Sequence, residues 1–118
     1  MVDLRQKELH EWQKNNFGVT PEDDLKCTVG MAEELGELSH WILKTKQKIR
    51  EGTASECKEE IADAFGDVMI YGIQLMTTRG IDAEKAIEKT IATVLKRDWR
   101  NNPSGNGYSQ HKEASDGL

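Results

Sequence analysis

The stretch Ile61–Met76 constrains this chain more than any other. Ile61, Phe65, Val68, Met69, Ile70, Ile73, Leu75 and Met76 spread apolar groups around most of a helical circumference, the pattern of a helix buried on several sides. Two aspartates, Asp63 and Asp67, stand inside it. Aspartate is a poor helix former, and a charged side chain is seldom buried without a partner. Glu60, Asp63 and Asp67 lie at i, i+3 and i+7 and so share one face, which Tyr71 and Gln74 continue. Carboxylates lined up on an otherwise apolar helix need a reason beyond solubility.

The rest of the chain also reads as helix. Residues 3–16 form a first helix with Leu4, Leu9 and Trp12 near helical spacing, stopped by Asn15-Asn16-Phe17-Gly18. A second runs from Pro21 to about Arg50. Thr20 is its N-cap, Pro21 its first helical residue, and acids fill its first turn. Leu25, Val29, Ala32, Leu35, Leu38 and Ile42 recur at three- and four-residue steps as its inward stripe. The apolar helix spans about 56–78, with Thr53 or Ser55 as cap and Arg79-Gly80 as its end. A fourth helix, about 83–99, starts after Asp82 and turns Ile87, Ile91, Val94, Leu95 and Trp99 inward. With no strand alternation and no glycine-rich phosphate loop, the expected fold is all-α and four-helix bundle-like over residues 1–99. Residues 100–118, rich in Gly, Asn and Ser, read as a flexible C-terminal tail or docking arm.

Composition narrows the function. Of 118 residues, 36% are hydrophobic and 31% charged, a lean core for one domain, so the chain is expected to complete it by oligomerising. A net charge of -5 disfavours nonspecific attraction to nucleic acid or an anionic membrane. No apolar run approaches a membrane span, and Met1–Trp12 is too charged for a signal peptide, which points to a cytoplasmic protein. Cys27 and Cys57 lack CxxC spacing and a partner histidine pair, which argues for two reduced thiols and against zinc.

A second acidic cluster, Glu33-Glu34-Leu35-Gly36-Glu37, lies on the second helix. Glu34 and Glu37 are one turn and about 60° apart there, on a strip shared with Gly30 and Trp41. Helices joined by a short connection usually pack antiparallel, which can bring the two clusters face to face. Two like charges 4 Å apart repel by about 4 kcal/mol at an effective dielectric near 20. A crowd of carboxylates therefore needs protons or cations. An all-oxygen donor set suits a hard ion, Mg²⁺ or Mn²⁺, and a carboxylate site filled by such an ion becomes a receptor for phosphates.

These motifs resemble those of the MazG-like branch of the all-α NTP pyrophosphatase superfamily. Its pattern is EExxE, a spacer, then ExxD, matched here by Glu33-Glu34-x-x-Glu37 and Glu60-Ile61-Ala62-Asp63, with the likeness extending over roughly residues 5–99. Relatives also carry GDV followed by an aromatic, as in Gly66-Asp67-Val68 and Tyr71. Matched on that second pattern, Asp67 becomes the family aspartate, and its glutamate partner falls on Ala64. Glu60, Asp63 and Asp67 are therefore all retained, Asp63 and Asp67 with preference. The resemblance implies Mg²⁺ held by Glu34, Glu37 and the second-cluster acids. It also implies hydrolysis of an NTP or dNTP to monophosphate and pyrophosphate by homodimers or homotetramers. Glu33 or Glu37 would accept the proton of the attacking water. Lys44, Lys89, Lys96 and Arg97 are candidates for holding phosphates, and Trp12, Phe17 or Trp41 for the base.

Three rival readings stay open. Glu37-Leu-Ser-His40 is one ExxH of the kind that di-metal carboxylate bundles use twice. A non-catalytic helical oligomer or binding module would leave the acids solvated. Phosphoribosyl-ATP or dUTP would keep the chemistry and change the substrate.

Overall fold

The computed structural model of the chain describes residues 3–53 and 56–108. It is all-helical among these residues: α1 (Gln6–Phe17), α2 (Asp23–Gln47), a single 3₁₀ turn at Arg50–Gly52, α3 (Lys58–Thr78) and α4 (Ala83–Leu95). Among the described residues no helix is long and apolar enough to cross a membrane. The chain divides into two compact units, Met1–Ala83 and Glu84–Leu118.

Within the first unit α3 packs on α2 and on α1. The ends of the helices follow from local chemistry. Gly18, at φ 75°, closes α1 and donates its N–H to the Lys14 carbonyl. Thr20 opens the next turn, its N–H and its hydroxyl both donating to the Asp23 carboxylate at 3.0 and 2.8 Å, but α2 begins at Asp23 with Glu22 in the cap position, not at Pro21 with Thr20 as cap. Lys48, left-handed, ends α2, and Gly80, at φ 67°, follows the end of α3. Gln6 ties α1 to the turn beyond α3. Its amide donates to Thr77 Oγ1 and to the Ile81 carbonyl, and its Oε1 accepts the Ala83 N–H. The expected cap of α3, Thr53 or Ser55, is not the one observed: its N-cap position is Cys57, Thr53 Oγ1 donates to the Arg50 carbonyl, and Ser55 lies outside the described residues.

Helices α2 and α3 run antiparallel, and small residues fix their register. Arg79 pairs with Asp24 at 3.2 Å. Gly30 lies so close to the Tyr71 ring that a Cβ there would overlap it, and Gly72 takes the Met31 methyl. Rising numbers on α2 thus meet falling numbers on α3.

This register corrects the inward face expected for α2. The side chains turned toward α3 are Cys27, Gly30, Met31, Glu34, Leu38, Trp41 and Thr45. Most of them alternate four- and three-residue steps, as in a two-helix seam. Leu25 (61% exposed), Val29 (59%), Leu35 and Ile42 are open, as is Ala32; only Leu38 of the predicted stripe faces inward. Close backbone approach at Gly30 and Gly72 selects the stripe that holds Gly30, which also carries Met31, Leu38 and Trp41. Nor is α3 covered on several sides within its unit: Phe65 is 56% exposed and Ile70 is also open, because α1 and α2 leave that flank free. Trp12 is exposed as well.

In the second unit Ile87, Ile91, Val94, Leu95 and Trp99 are exposed rather than inward, since among the described residues α4 has no helix of its own unit to pack on. Residues 97–108, partly read from sequence as the start of a tail, fold back on the end of α4. Asp98 N–H donates to the Gly107 carbonyl at 2.7 Å, Gly107 lies against Trp99, and Arg97 sits 5.7 Å over the Tyr108 ring. Residues 109–118 lie outside the described residues.

Gly52 is buried, and a Cβ on it would overlap the Lys44 backbone, so Gly52→Ala should destabilise by about 1–3 kcal/mol. Gly66 has open space around its Cβ position, so Gly66→Ala should stabilise by about 0.5–1 kcal/mol. Urea unfolding of the two variants checks both signs.

Candidate functional site

Continuing the register one turn along α2 from Gly30 brings Glu34 level with Asp67, one turn back from Tyr71 on α3. Glu34 is the one acidic side chain in the middle of the α2 seam, and it is half-buried there. Its carboxyl is held above the usual range, first by partial burial, then by the charge of Asp67, and after that by Glu33, Glu37 and Asp63. The two acidic clusters therefore meet across the seam. Asp67 is half-buried, whereas Glu33, Glu37 and Asp63 are exposed at its rim. Glu60 lies two turns from Asp67 on α3, about 10 Å along the axis, toward the end where α2 places Trp41.

The donor chemistry fits a hard divalent cation: all groups are carboxylates, and they belong to two helices whose register is fixed. The acids share one electrostatic neighbourhood, while among the described residues no three His, Cys, Asp or Glu side chains are drawn into a ready set of ligands. Binding an ion would require the exposed carboxylates to turn inward, which long, solvated Glu side chains do at small cost.

One turn beyond Gly30 the seam opens into a cavity of about 710 Å³ that sequence reasoning did not foresee. Its walls are His10, Gln13 and Phe17 of α1, the Val19–Pro21 connection, Asp23, Asp24, Lys26 and Cys27 of α2, and Tyr71, Gln74, Thr77 and Thr78 of α3. Tyr71 joins it to the acid cluster. Gln74, only 6% exposed as a residue, lines the cavity; among the described residues the buried side-chain polar atom left without a partner is Arg97 Nε. Burial, then the charges of Asp23 and Asp24, push the Cys27 thiol up, which keeps it protonated and inert. The sequence did carry one signal, since Tyr71 and Gln74 continue the acidic face of α3.

The remaining candidates stand apart from the acid cluster or are engaged elsewhere. Phe17 lines the cavity; Trp12 meets its ring edge-on at 5.8 Å without lining it. Trp41 packs edge-on against His40. Lys44 Nζ donates to Gln47 Oε1 at 3.1 Å. Lys89, Lys96 and Arg97 belong to the second unit, where Tyr108 occupies the Arg97 guanidinium. His40 Nε2 lies 3.1 Å from Glu51 Oε1 on the 3₁₀ turn, committed to a partner outside the acidic face that an ExxH ligand would need. Comparison with known families, curated proteins and solved structures returns no match.

A carboxyl whose pKa rises on folding favours the folded state at pH below its unfolded value, and that contribution is lost as pH rises through the folded pKa. Glu34 behaves this way. Glu34→Gln should therefore melt higher than the parent at pH 7 in EDTA, with the gap closing as pH falls below the unfolded glutamate pKa of about 4.3. Equal melting at pH 7 would mean that Glu34 bears no repulsion from Asp67.

Proposed function

We propose that this chain is a Mg²⁺-dependent nucleoside triphosphate pyrophosphohydrolase of the MazG-like kind, converting an NTP or dNTP to its monophosphate and pyrophosphate. The observation that carries the reading is the meeting of the acidic clusters at Glu34 and Asp67, with a nucleoside-sized cavity opening next to them along the same seam. A pocket of several hundred Å³ with a few convergent polar groups is the usual form of a small-molecule site.

Glu34, Glu37, Asp63 and Asp67 would hold the cation, with Mn²⁺ able to replace Mg²⁺. When bound, the ion would supply charge neutralisation of the triphosphate and a more acidic water. Glu33 or Glu37, at the solvent rim, would take the proton from the attacking water. The water oxygen bonds to the α-phosphorus as the α–β bridge breaks, and pyrophosphate departs. The base would sit against Phe17 and Tyr71, with the Gln74 amide offering one donor and one acceptor to its edge. Lys26 at the cavity wall and Lys44 on α2 are candidates for phosphate contact. A cytoplasmic enzyme that guards the nucleotide pool suits this chemistry.

The decisive experiment is a panel of NTPs and dNTPs, with phosphoribosyl-ATP and dUTP included, assayed with Mg²⁺ for monophosphate plus pyrophosphate. Release of orthophosphate, or no turnover of any member, would overturn the proposal. Asp67→Asn should raise the Mg²⁺ concentration for half-maximal rate by about 10–100-fold or more, and Glu60→Gln should do so less. Loss of one ligand hydrogen bond in Gln74→Leu should raise KM about tenfold, with kcat nearly unchanged.

A further inference from the structure

The cavity beside the seam has a wall of unequal chemistry. Much of its polar lining is indifferent to what it binds. Gln13 of α1 and Gln74 of α3 each present a donor and an acceptor, the Tyr71 hydroxyl serves as either, and the His10 ring does so by choice of tautomer. Thr77 and Thr78 turn their hydroxyls to the Ile73 and Leu75 carbonyls of their own helix. Selectivity must therefore come from groups of fixed role. Ionised Asp23 and Asp24 only accept, and Lys26 only donates.

Two of these three are engaged. Lys26 is exposed, and its Nζ donates to Thr20 Oγ1 at 3.2 Å. Asp24 is compensated by Arg79, also at 3.2 Å. Asp23 is half-buried, and what holds it is Thr20, whose N–H and hydroxyl donate to its two oxygens at 3.0 and 2.8 Å. Those bonds keep its carboxyl below the usual range, and the charge of Lys26 acts on it last and least. They also fix its orientation, and each oxygen keeps a further lone pair. An acceptor-only group thus stands in a wall that also carries the flat rings of Phe17 and Tyr71.

We propose that this pocket selects heterocycles bearing an exocyclic amino group, adenine or cytosine, over their oxo counterparts, with Asp23 accepting the amine N–H and Phe17 and Tyr71 flanking the ring. An oxo base sets a carbonyl lone pair where the amine sets a hydrogen. Facing a carboxylate, both oxygens lose water and gain no bond. The amides of Gln13 and Gln74 turn to suit either edge and leave the choice to Asp23. This specificity rests on the cavity being the base pocket of the reading above, and it needs no hydrolysis to be seen.

NMR titration of the full chain with nucleosides in EDTA reads the pocket without metal or turnover. Adenosine should bind about tenfold or more tighter than inosine, or cytidine than uridine, and the pair that responds tells purine from pyrimidine. In Asp23→Asn the ratio should fall to near one, because an amide can offer its N–H to the oxo base; a merely structural Asp23 would weaken both members of a pair alike. Should that variant fail to fold, the parent ratios still decide. Equal affinities within both pairs, tighter binding of inosine or uridine, an unchanged ratio in Asp23→Asn, or no response of the cavity residues to any nucleoside would overturn the proposal. Discrimination between nucleosides with no triphosphate hydrolysed would uphold it and remove the pyrophosphohydrolase reading alone.

Discussion

The α2–α3 seam is the contact on which the remaining features depend. Its register is set where two glycines let helices approach, Gly30 under the Tyr71 ring and Gly72 under Met31. Once those contacts are made, Glu34 comes level with Asp67, and the seam opens toward the connection between α1 and α2 to give the cavity. The same rotation sends Leu25, Val29 and Leu43 to the outside. A shift of α2 by one residue would turn it by about 100° and undo all three results together. Packing this specific is a steric outcome: a side chain at Gly30 would have no room beside the Tyr71 ring.

Much of this was legible in the sequence. The helices fall within a few residues of where periodicity, Pro21, Gly18 and Gly80 place them. The acidic face of α3 also follows from spacing alone, because i, i+3 and i+7 share a face in any helix. The face that α2 buries was not legible. A count of large aliphatics favours the stripe from Leu25 to Ile42, yet burial is decided by which stripe lets the backbones approach, and glycine carries no hydrophobic weight in such a count. The cavity left little trace for a similar reason. Its wall draws on three helices and a connection, so its residues are scattered through the chain, and only Tyr71 and Gln74 continue a face already marked by acids. The exposed stripe of α4 shows the limit of amphipathicity: the pattern Ile87, Ile91, Val94 says that a face wants a partner and does not say which.

A carboxylate in a helix seam differs from one on a solvated face in how it couples to stability. On the surface, Glu34 would be screened and its neighbours irrelevant. In the seam, its ionised form is disfavoured by partial burial and by Asp67, and the folded state gains from whatever removes that charge or offsets it. A proton does so in acid. At neutral pH a divalent cation would do so, and an ion that binds only the folded pair stabilises it by mass action. Metal binding and helix pairing would then be one equilibrium seen from two sides, which is the thermodynamic reason to place ligands in a seam rather than on a loop.

Helix α2 mixes its two faces more than an ordinary amphipathic helix does. Its inner side sets Met31, Leu38 and Trp41 beside an acid, a thiol and a glycine, while Leu25, Val29, Leu35, Ile42 and Leu43 stay exposed. Leaving those aliphatics in water forgoes apolar burial, and Glu34 in the seam is a charge where charge costs most. The seam holds because the acid is flanked on both sides: Gly30 and Met31 pack on Tyr71 and Gly72 one turn before it, and Leu38 and Trp41 are half-buried one and two turns after it. The apolar contacts at either end thus carry a middle that like charges weaken.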